Sequence, residues 1–174
     1  MTRARLAGLL VAAGLAAMLA LNLAWIMRNR GTLGGTRAGE PAPRLDLPLL
    51  DGGRLRIEDS RGQRLVLSFW ATWCGPCVGE LPDVQRLGDE LAGKGVRVVT
   101  VNVDGEGADA VVRAFRQRIG LKLPIALDDG SASQAYRVDT IPRTVIIDAD
   151  GKIARVLDGA HPLADMRRAV ELVQ

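Results

Sequence analysis

The stretch that most constrains this chain is residues 65–80, LVLSFWATWCGPCVGE. Leu65 to Trp70 is an apolar run closed by turn residues and reads as a buried strand. Ala71, Thr72 and Trp73 make a short turn, and Cys74-Gly75-Pro76-Cys77 opens a helix. Cys74 and Cys77 are the only two cysteines among the 174 residues. Two cysteines three apart at a helix start can close a small disulfide ring. The partial positive charge of the helix N-terminus favours a thiolate on the first of them. That thiolate is the nucleophile of thiol–disulfide exchange, and the second thiol resolves the mixed disulfide. The other common use of such a pair is half of a zinc site. It needs four ligands, and the rest of the chain offers one histidine and no further cysteine, so no metal is expected.

A formal net charge of +3 raises the question of nucleic acid. Residues 1–40 hold five arginines against one glutamate, whereas residues 41–174 hold 18 Lys/Arg against 19 Asp/Glu. The basicity belongs to the N-terminal tail, and the remainder has no net electrostatic case for binding nucleic acid.

Leu6 to Met27 is 22 residues with one polar side chain, Asn22. As a helix it would be roughly 33 Å long, against a bilayer hydrocarbon core of about 30 Å. Trp25 falls near its far end, where an indole suits the interface. A cleaved signal peptide is the alternative, but no small-x-small site closes the run, because Ala24 would need Asn22 at its −3 position. Residues 1–27 therefore read as an uncleaved single-pass anchor. Arg3 and Arg5 precede the span while Arg28, Arg30 and Arg37 follow it, so charge alone leaves orientation near a tie. A basic pentapeptide before an apolar run looks like an export signal, which puts the rest outside the cytoplasm. Residues 28–40, with four glycines and no apolar periodicity, read as a linker reaching roughly 20 Å as a coil.

Residues 41–174 read as one α/β domain. Prolines argue for an edge strand or extended arm around Leu45 to Leu49. Asp51-Gly52-Gly53 is a hairpin turn, and Leu55-Arg56-Ile57 returns. After the central strand comes a helix from Cys74, with Cys77, Leu81, Val84 and Leu91 inward, a kink at Pro82, and an end at Gly93-Lys94-Gly95. Val96 to Val103 is a second, parallel strand. Ala108 to Ile119 is a helix with Val111, Val112 and Phe115 inward. Leu123 to Leu127 is a short strand, and Ser131 to Tyr136 a short helix. Arg143 to Asp148 and Ile153 to Leu157 form an antiparallel pair about Asp150-Gly151. Pro162 to Leu172 is a last amphipathic helix. This order predicts a mixed central sheet flanked by helices.

With that order in place, the chain resembles the thioredoxin superfamily, and within its redoxin branch the membrane-anchored TlpA/ResA-type thiol–disulfide oxidoreductases. The resemblance rests on A-P-x-L-x-L with a D-G-x hairpin at 42–53, F-W-A-T-W-C-G-P-C-x-x-E-x-P at 69–82, T-I-P-R-T-V-I-I-D-A-D-G-K-I at 140–153, and the single N-terminal anchor. It implies a thioredoxin-like fold with an N-terminal β-hairpin extension. It also implies a catalytic domain on the periplasmic side of the inner membrane, and no cofactor beyond the redox-active cysteine pair.

Each position carries its own chemistry. Cys74 is the attacking thiol and Cys77, one turn in, the buried resolving thiol. Gly75 allows a tight helix entry, and Pro76 suits the first turn because its missing N–H would be unpaired there. Trp73 either shields the disulfide and offers a partner an apolar platform or is plain core packing. Glu80, three residues after Cys77, shares its helical face. A half-buried carboxyl there can have a raised pKa and exchange a proton with a thiol; the other reading is a solvated surface glutamate. In thioredoxin the acid comes from the strand, where this chain has Ser68; in the resembled family it comes from the helix, at Glu80. The resemblance makes Ile141-Pro142 a cis-proline loop facing the cysteines, leaving backbone free to pair with an extended substrate. Arg143 departs from the G-x-P-E of cytochrome c maturation thioredoxins; a cation there either favours the Cys74 thiolate or is structural. His161, beside Pro162, reads as structural or solvated.

The expected activity is reduction of protein disulfides, with apocytochrome c a candidate substrate and a membrane thiol donor restoring the cysteines. The Gly-Pro dipeptide is that of thioredoxin, at about −270 mV, rather than of strong oxidants near −120 mV. A peroxidase would need P-x-x-x-T-x-x-C; Thr72 lies two before Cys74, with no proline four further back. A copper-binding factor would use the two thiols as soft ligands, with His161 the only histidine to join them.

Overall fold

The structure, a computed structural model, describes residues 3–28 and 37–173, with side chains in the first stretch described for residues 13–25. It forms two compact units, Met1–Gly34 and Gly35–Gln174. The first is a single helix, α1 (Arg3–Arg28). Among the described residues no helix is long and apolar enough to cross a membrane. Most of the linker expected at 28–40 lies at 29–36, outside the described residues.

The second unit runs β1 (Asp46–Pro48), β2 (Arg54–Arg56), a 3₁₀ turn (Glu58–Ser60), β3 (Arg64–Trp70), α2 (Gly75–Leu91), β4 (Val96–Asn102), α3 (Asp109–Ile119), β5 (Ile125–Leu127), α4 (Ser131–Ala135), β6 (Arg143–Ile147), β7 (Ile153–Asp158) and α5 (Leu163–Glu171). The main sheet has the order β5-β4-β3-β6-β7, with β3, β4 and β5 parallel and β6 and β7 antiparallel. The sequence-predicted elements are all present, with ends moved by a residue or two, the usual uncertainty of helix and strand termini.

Strand β3 shows why this chain makes two cores. Side chains alternate across a strand. Leu65, Leu67 and Phe69 join a cluster with Leu47, Leu55, Val145 and Tyr136, while Val66 and Trp70 join another with Cys77, Leu81, Phe115 and Met166. The sheet is therefore covered unequally. Helices α2, α3 and α5 lie on one face; the hairpin and the short α4 cover the other. The expected mixed sheet flanked by helices is present, with the hairpin extension sharing the second face with α4. Helix α2 runs through Pro82 to Leu91. Gly88 lets it approach the segment before β5, because a Cβ there would meet Leu123 Cδ2 at 2.5 Å.

One inward assignment does not hold. Val111 is exposed, whereas Val112 and Phe115 are buried. Helix α3 touches the core through a narrow stripe, and Val111, 100° round from Val112, falls outside it.

The N-terminal extension meets both edges of the sheet, at the start of β7 and along β5. Gly39 N–H donates to Ile153 O (2.7 Å) and Ala42 N–H to Gly151 O (2.9 Å) beside β7, while Leu50 N–H donates to Ile125 O (2.8 Å) on β5. Unpaired edges invite pairing with other chains, and these bonds occupy part of each edge. Tyr136, fully buried, fastens the arm from below by donating its hydroxyl to Pro43 O at 2.7 Å. Burial raises the pKa of that phenol, so it stays a donor. Tyr136→Phe is expected to lower unfolding free energy by about 1 kcal/mol, the net worth of one such bond, read as a reduced urea midpoint at unchanged slope.

Candidate active site

The cysteine pair sits where β3 ends and α2 begins. Cys74 is the N-cap of α2, with φ −86° and ψ 100°, and Pro76 lies in its first turn. Helices leave their first N–H groups without intrahelical partners. Here the Cys77 N–H donates to Cys74 Sγ at 3.2 Å, so the sulfur occupies the place a serine or aspartate oxygen usually takes. The two sulfurs are joined as a disulfide, with Cα atoms 5.3 Å apart. Cys74 is 6% exposed and Cys77 1%. Cys74 is the more accessible, though only its edge reaches the surface. Next to it Trp73 is 72% exposed. It is therefore not core packing, and it presents an indole to whatever approaches the sulfur.

The turn before the cysteines is held from β4. The Asp104 carboxylate accepts from Thr72 N–H at 3.0 Å and from Asn102 Nδ2 at 3.2 Å. Asn102 is buried at the end of β4, and its Oδ1 accepts from Asp104 N–H at 3.2 Å. Val103 N–H donates to Trp70 O at 2.9 Å. This bracket was not read from the sequence; the signal was an Asn-x-Asp pair at a strand end, a combination that favours local side-chain to backbone bonding.

Facing the pair is the loop before β6. The Ile141–Pro142 peptide is cis, and Ile141 O lies 3.8 Å from Cys74 Sγ. The loop therefore borders the more accessible sulfur. Arg143 opens β6 opposite Asp158 of β7, and its Nη1 meets Asp158 Oδ1 at 2.6 Å. The arginine side chain is 11% exposed. Its charge is held in a cross-strand ion pair, which fits the structural reading of this residue.

Glu80 is 6% exposed, not a solvated surface glutamate. Burial raises its pKa from 4.5, and nearby Asp83 adds to the rise. A hydrogen bond from the His161 backbone and the charge of His161 oppose it. The bond is His161 N–H to Glu80 Oε1 at 2.7 Å. Thus His161, 81 positions away, is at the site through its main chain, while its Nε2 lies 3.2 Å from Asp158 O. The sequence carried a hint. Pro162 caps α5 without a side-chain bond of its own, so the N–H groups around that helix start need acceptors from elsewhere.

Ser68 faces the same side of the sheet as Trp70 but has no acidic group to offer, and its buried Oγ has no protein partner among the described residues. Among those residues no cluster of three or more His, Cys, Asp or Glu could hold a metal ion. What the arrangement can do is hold one accessible sulfur beside an N–H donor, a second sulfur behind it, and one carboxyl with raised proton affinity on the same helix.

Comparisons with known proteins agree with that chemistry. The model of the AhpC/TSA family matches residues 38–156. The thioredoxin-like protein YneN of Bacillus subtilis is 34% identical over 139 residues, covering 79% of this chain and 81% of that protein. The thiol-disulfide oxidoreductase ResA of Geobacillus kaustophilus is 35% identical over 137 residues, covering 78% of each. Among solved structures, StoA of Bacillus subtilis superposes with a TM-score of 0.65 at 29% identity, covering 74% of this chain and 96% of that one. The thiol:disulfide interchange protein DsbE of Chlorobium tepidum superposes with a TM-score of 0.70 at 29% identity, covering 78% and 96%.

Proposed function

We propose, from the premise that this chain belongs to the AhpC/TSA family and is a thiol–disulfide oxidoreductase with a thioredoxin-like fold, that it is a membrane-tethered, extracytoplasmic reductase of protein disulfides. The observation that carries the reading is Cys74 at the N-cap of α2 with the Cys77 N–H on its sulfur. In the reduced protein that N–H and the helix N-terminus favour negative charge on Cys74.

Reduction then takes two exchanges. The Cys74 thiolate attacks one sulfur of a substrate disulfide, forming a Cys74–substrate disulfide and expelling the other substrate sulfur as a thiolate. Cys77 loses its proton and attacks Cys74 Sγ, re-forming the Cys74–Cys77 disulfide. The substrate leaves with two more electrons and, after protonation, two thiols. Glu80, with its raised proton affinity, is the group on α2 suited to taking the Cys77 proton. Trp73 gives the substrate an apolar surface. Gly75 and Pro76 keep the approach to Cys74 free of side-chain bulk, and the Ile141–Arg143 segment borders it. A membrane thiol donor would restore the dithiol, and apocytochrome c is the substrate the resemblance favours.

Support for the tether comes from α1. Leu15, Met18, Leu19, Leu21, Leu23 and Trp25 are all exposed around the helix, and Asn22 Nδ2 donates to Met18 O at 3.0 Å, so its polar group is satisfied within the helix. Such a surface suits lipid better than water.

Two assays test this. The purified domain is expected to accelerate dithiothreitol-driven reduction of insulin disulfides and to leave hydrogen peroxide untouched; turnover of peroxide instead would favour a peroxidase. Fusions at residue 40 are expected to be active with alkaline phosphatase; activity with β-galactosidase alone would place the domain in the cytoplasm.

A further inference from the structure

The stretch from Gly159 to Leu163, between β7 and the start of α5, meets two sides of the site. Gly159 N–H donates to Pro142 O at 2.9 Å, on the loop that faces Cys74. His161 N–H donates to Glu80 Oε1 at 2.7 Å, and Leu163 N–H to Asp83 Oδ2 at 3.2 Å. Pro162, between them, has no N–H to place. The start of α5 is therefore capped by two carboxylates one turn apart on α2 rather than by its own side chains. A carboxylate that caps another element's N–H is fixed in position by it, and that bond is stronger when the carboxylate is ionised.

We propose that His161 is a positioning residue for Glu80: its main-chain N–H fixes the carboxyl group, and its tethered side chain decides what charge the same loop presents to it. This rests on the reading of Glu80 as the proton-handling group of the site. The ionisable groups on the elements meeting here, besides Glu80 itself, are Asp83, Arg86, Asp89 and Glu90 on α2, Arg143 on β6, Arg155 and Asp158 on β7, His161 in the loop, and Asp165, Arg167, Arg168 and Glu171 on α5. Several are already committed to each other. Arg143 is bound to Asp158, Arg167 to Glu90 in a two-pronged pair at 2.7 and 2.8 Å, and Arg86 lies 3.5 Å from Asp83. The charges acting on Glu80 are those of His161 and Asp83, in opposite senses. The imidazole is also tethered, with Nε2 3.2 Å from Asp158 O, so its ring is fixed on the same loop whose main chain meets the carboxyl. The loop thereby gives the site a local setting for how readily Glu80 releases its proton, from a residue that touches neither sulfur.

The test is a ¹³C NMR titration of the Glu80 carboxyl in the disulfide form, with its resonance assigned by Glu80→Gln. His161→Ala keeps the N–H and removes the imidazole, and is expected to shift the Glu80 midpoint upward. His161→Lys restores a cation and is expected to return it toward the wild-type value. Asp83→Asn removes the like charge and is expected to move it downward. His161 is partly exposed, so its variants should fold. A midpoint unmoved in His161→Ala would overturn the proposal, as would equal upward shifts in the alanine and lysine variants. The readout does not depend on turnover. If Glu80→Gln left catalysis unchanged, the catalytic reading of Glu80 would fail while the titration would still report whether His161 sets its proton affinity.

Discussion

Replacing Cys77 with serine is expected to lower steady-state reduction of protein disulfides by at least about a thousandfold, roughly 4 kcal/mol of transition-state stabilisation, while leaving Cys74 able to react once. The reason lies in the division of labour across one turn of α2. Cys74, at the N-cap, has the edge that reaches solvent; Cys77 is behind it, 1% exposed. Without the second sulfur the mixed disulfide has no intramolecular attacker, so the substrate remains bound to Cys74. Purification of Cys77→Ser from membranes should yield covalent adducts that dithiothreitol releases. Cys74→Ser should yield none and be equally inactive. One dominant adduct would mark a dedicated maturation factor, and many unrelated adducts a general reductase. Absence of any adduct would overturn the exchange mechanism. The serine hydroxyl in place of Cys77 sits in an apolar environment and should cost about 1–2 kcal/mol of stability, so thermal unfolding of the variant is the control.

The second large effect concerns Glu80→Gln, in both rate and stability. General acid–base assistance is worth about 10²–10⁴-fold, so the step in which Cys77 loses its proton should slow by roughly a hundredfold, and the pH dependence of exchange should lose one inflection. An unchanged profile would reject the role. The stability effect has a definite sign. The folded protein raises the Glu80 pKa above 4.5 through burial, so in the window above that value it holds a proton that the unfolded chain has released. Stability contributed by this proton is fully present below the unfolded pKa and is lost as pH rises through the folded one. Wild type should therefore lose stability across that window, and Glu80→Gln should not. Urea unfolding at pH 4 and pH 7 reads the difference. The variant should gain on wild type as pH rises; a parallel response would show that Glu80 is not the buried carboxyl responsible.

How much of this was legible in advance differs from residue to residue. The strand, the turn and the helix start at Leu65–Cys77 were readable because each depends on near neighbours: an apolar run, a tight turn, a proline suited to a first helical turn. The second hairpin strand and the last helix were readable for the same reason. The inward stripe of α3 was not. The sequence places Val111 and Val112 side by side, and only packing against Trp70 and the sheet decides that Phe115 and Val112 face in while Val111 faces water. The unequal cover of the sheet was equally out of reach, since a hairpin and a helix can each bury an apolar face, and local periodicity does not say which one takes it.

The site divides along the same line. The sequence by itself determined the spacing of the candidate groups: two sulfurs three apart at a helix start, and a carboxyl one turn on, on the same face. These are matters of spacing along one element, fixed by 3.6 residues per turn. Only the tertiary structure decided what surrounds them. It put Asn102 and Asp104 behind Thr72, tied Arg143 to Asp158, and brought the His161 N–H from 81 positions away to Glu80. The physical reason is that a backbone N–H has no side-chain identity to read. Every residue except proline carries one, and which acceptor it meets depends on where the sheet and helices finally lie.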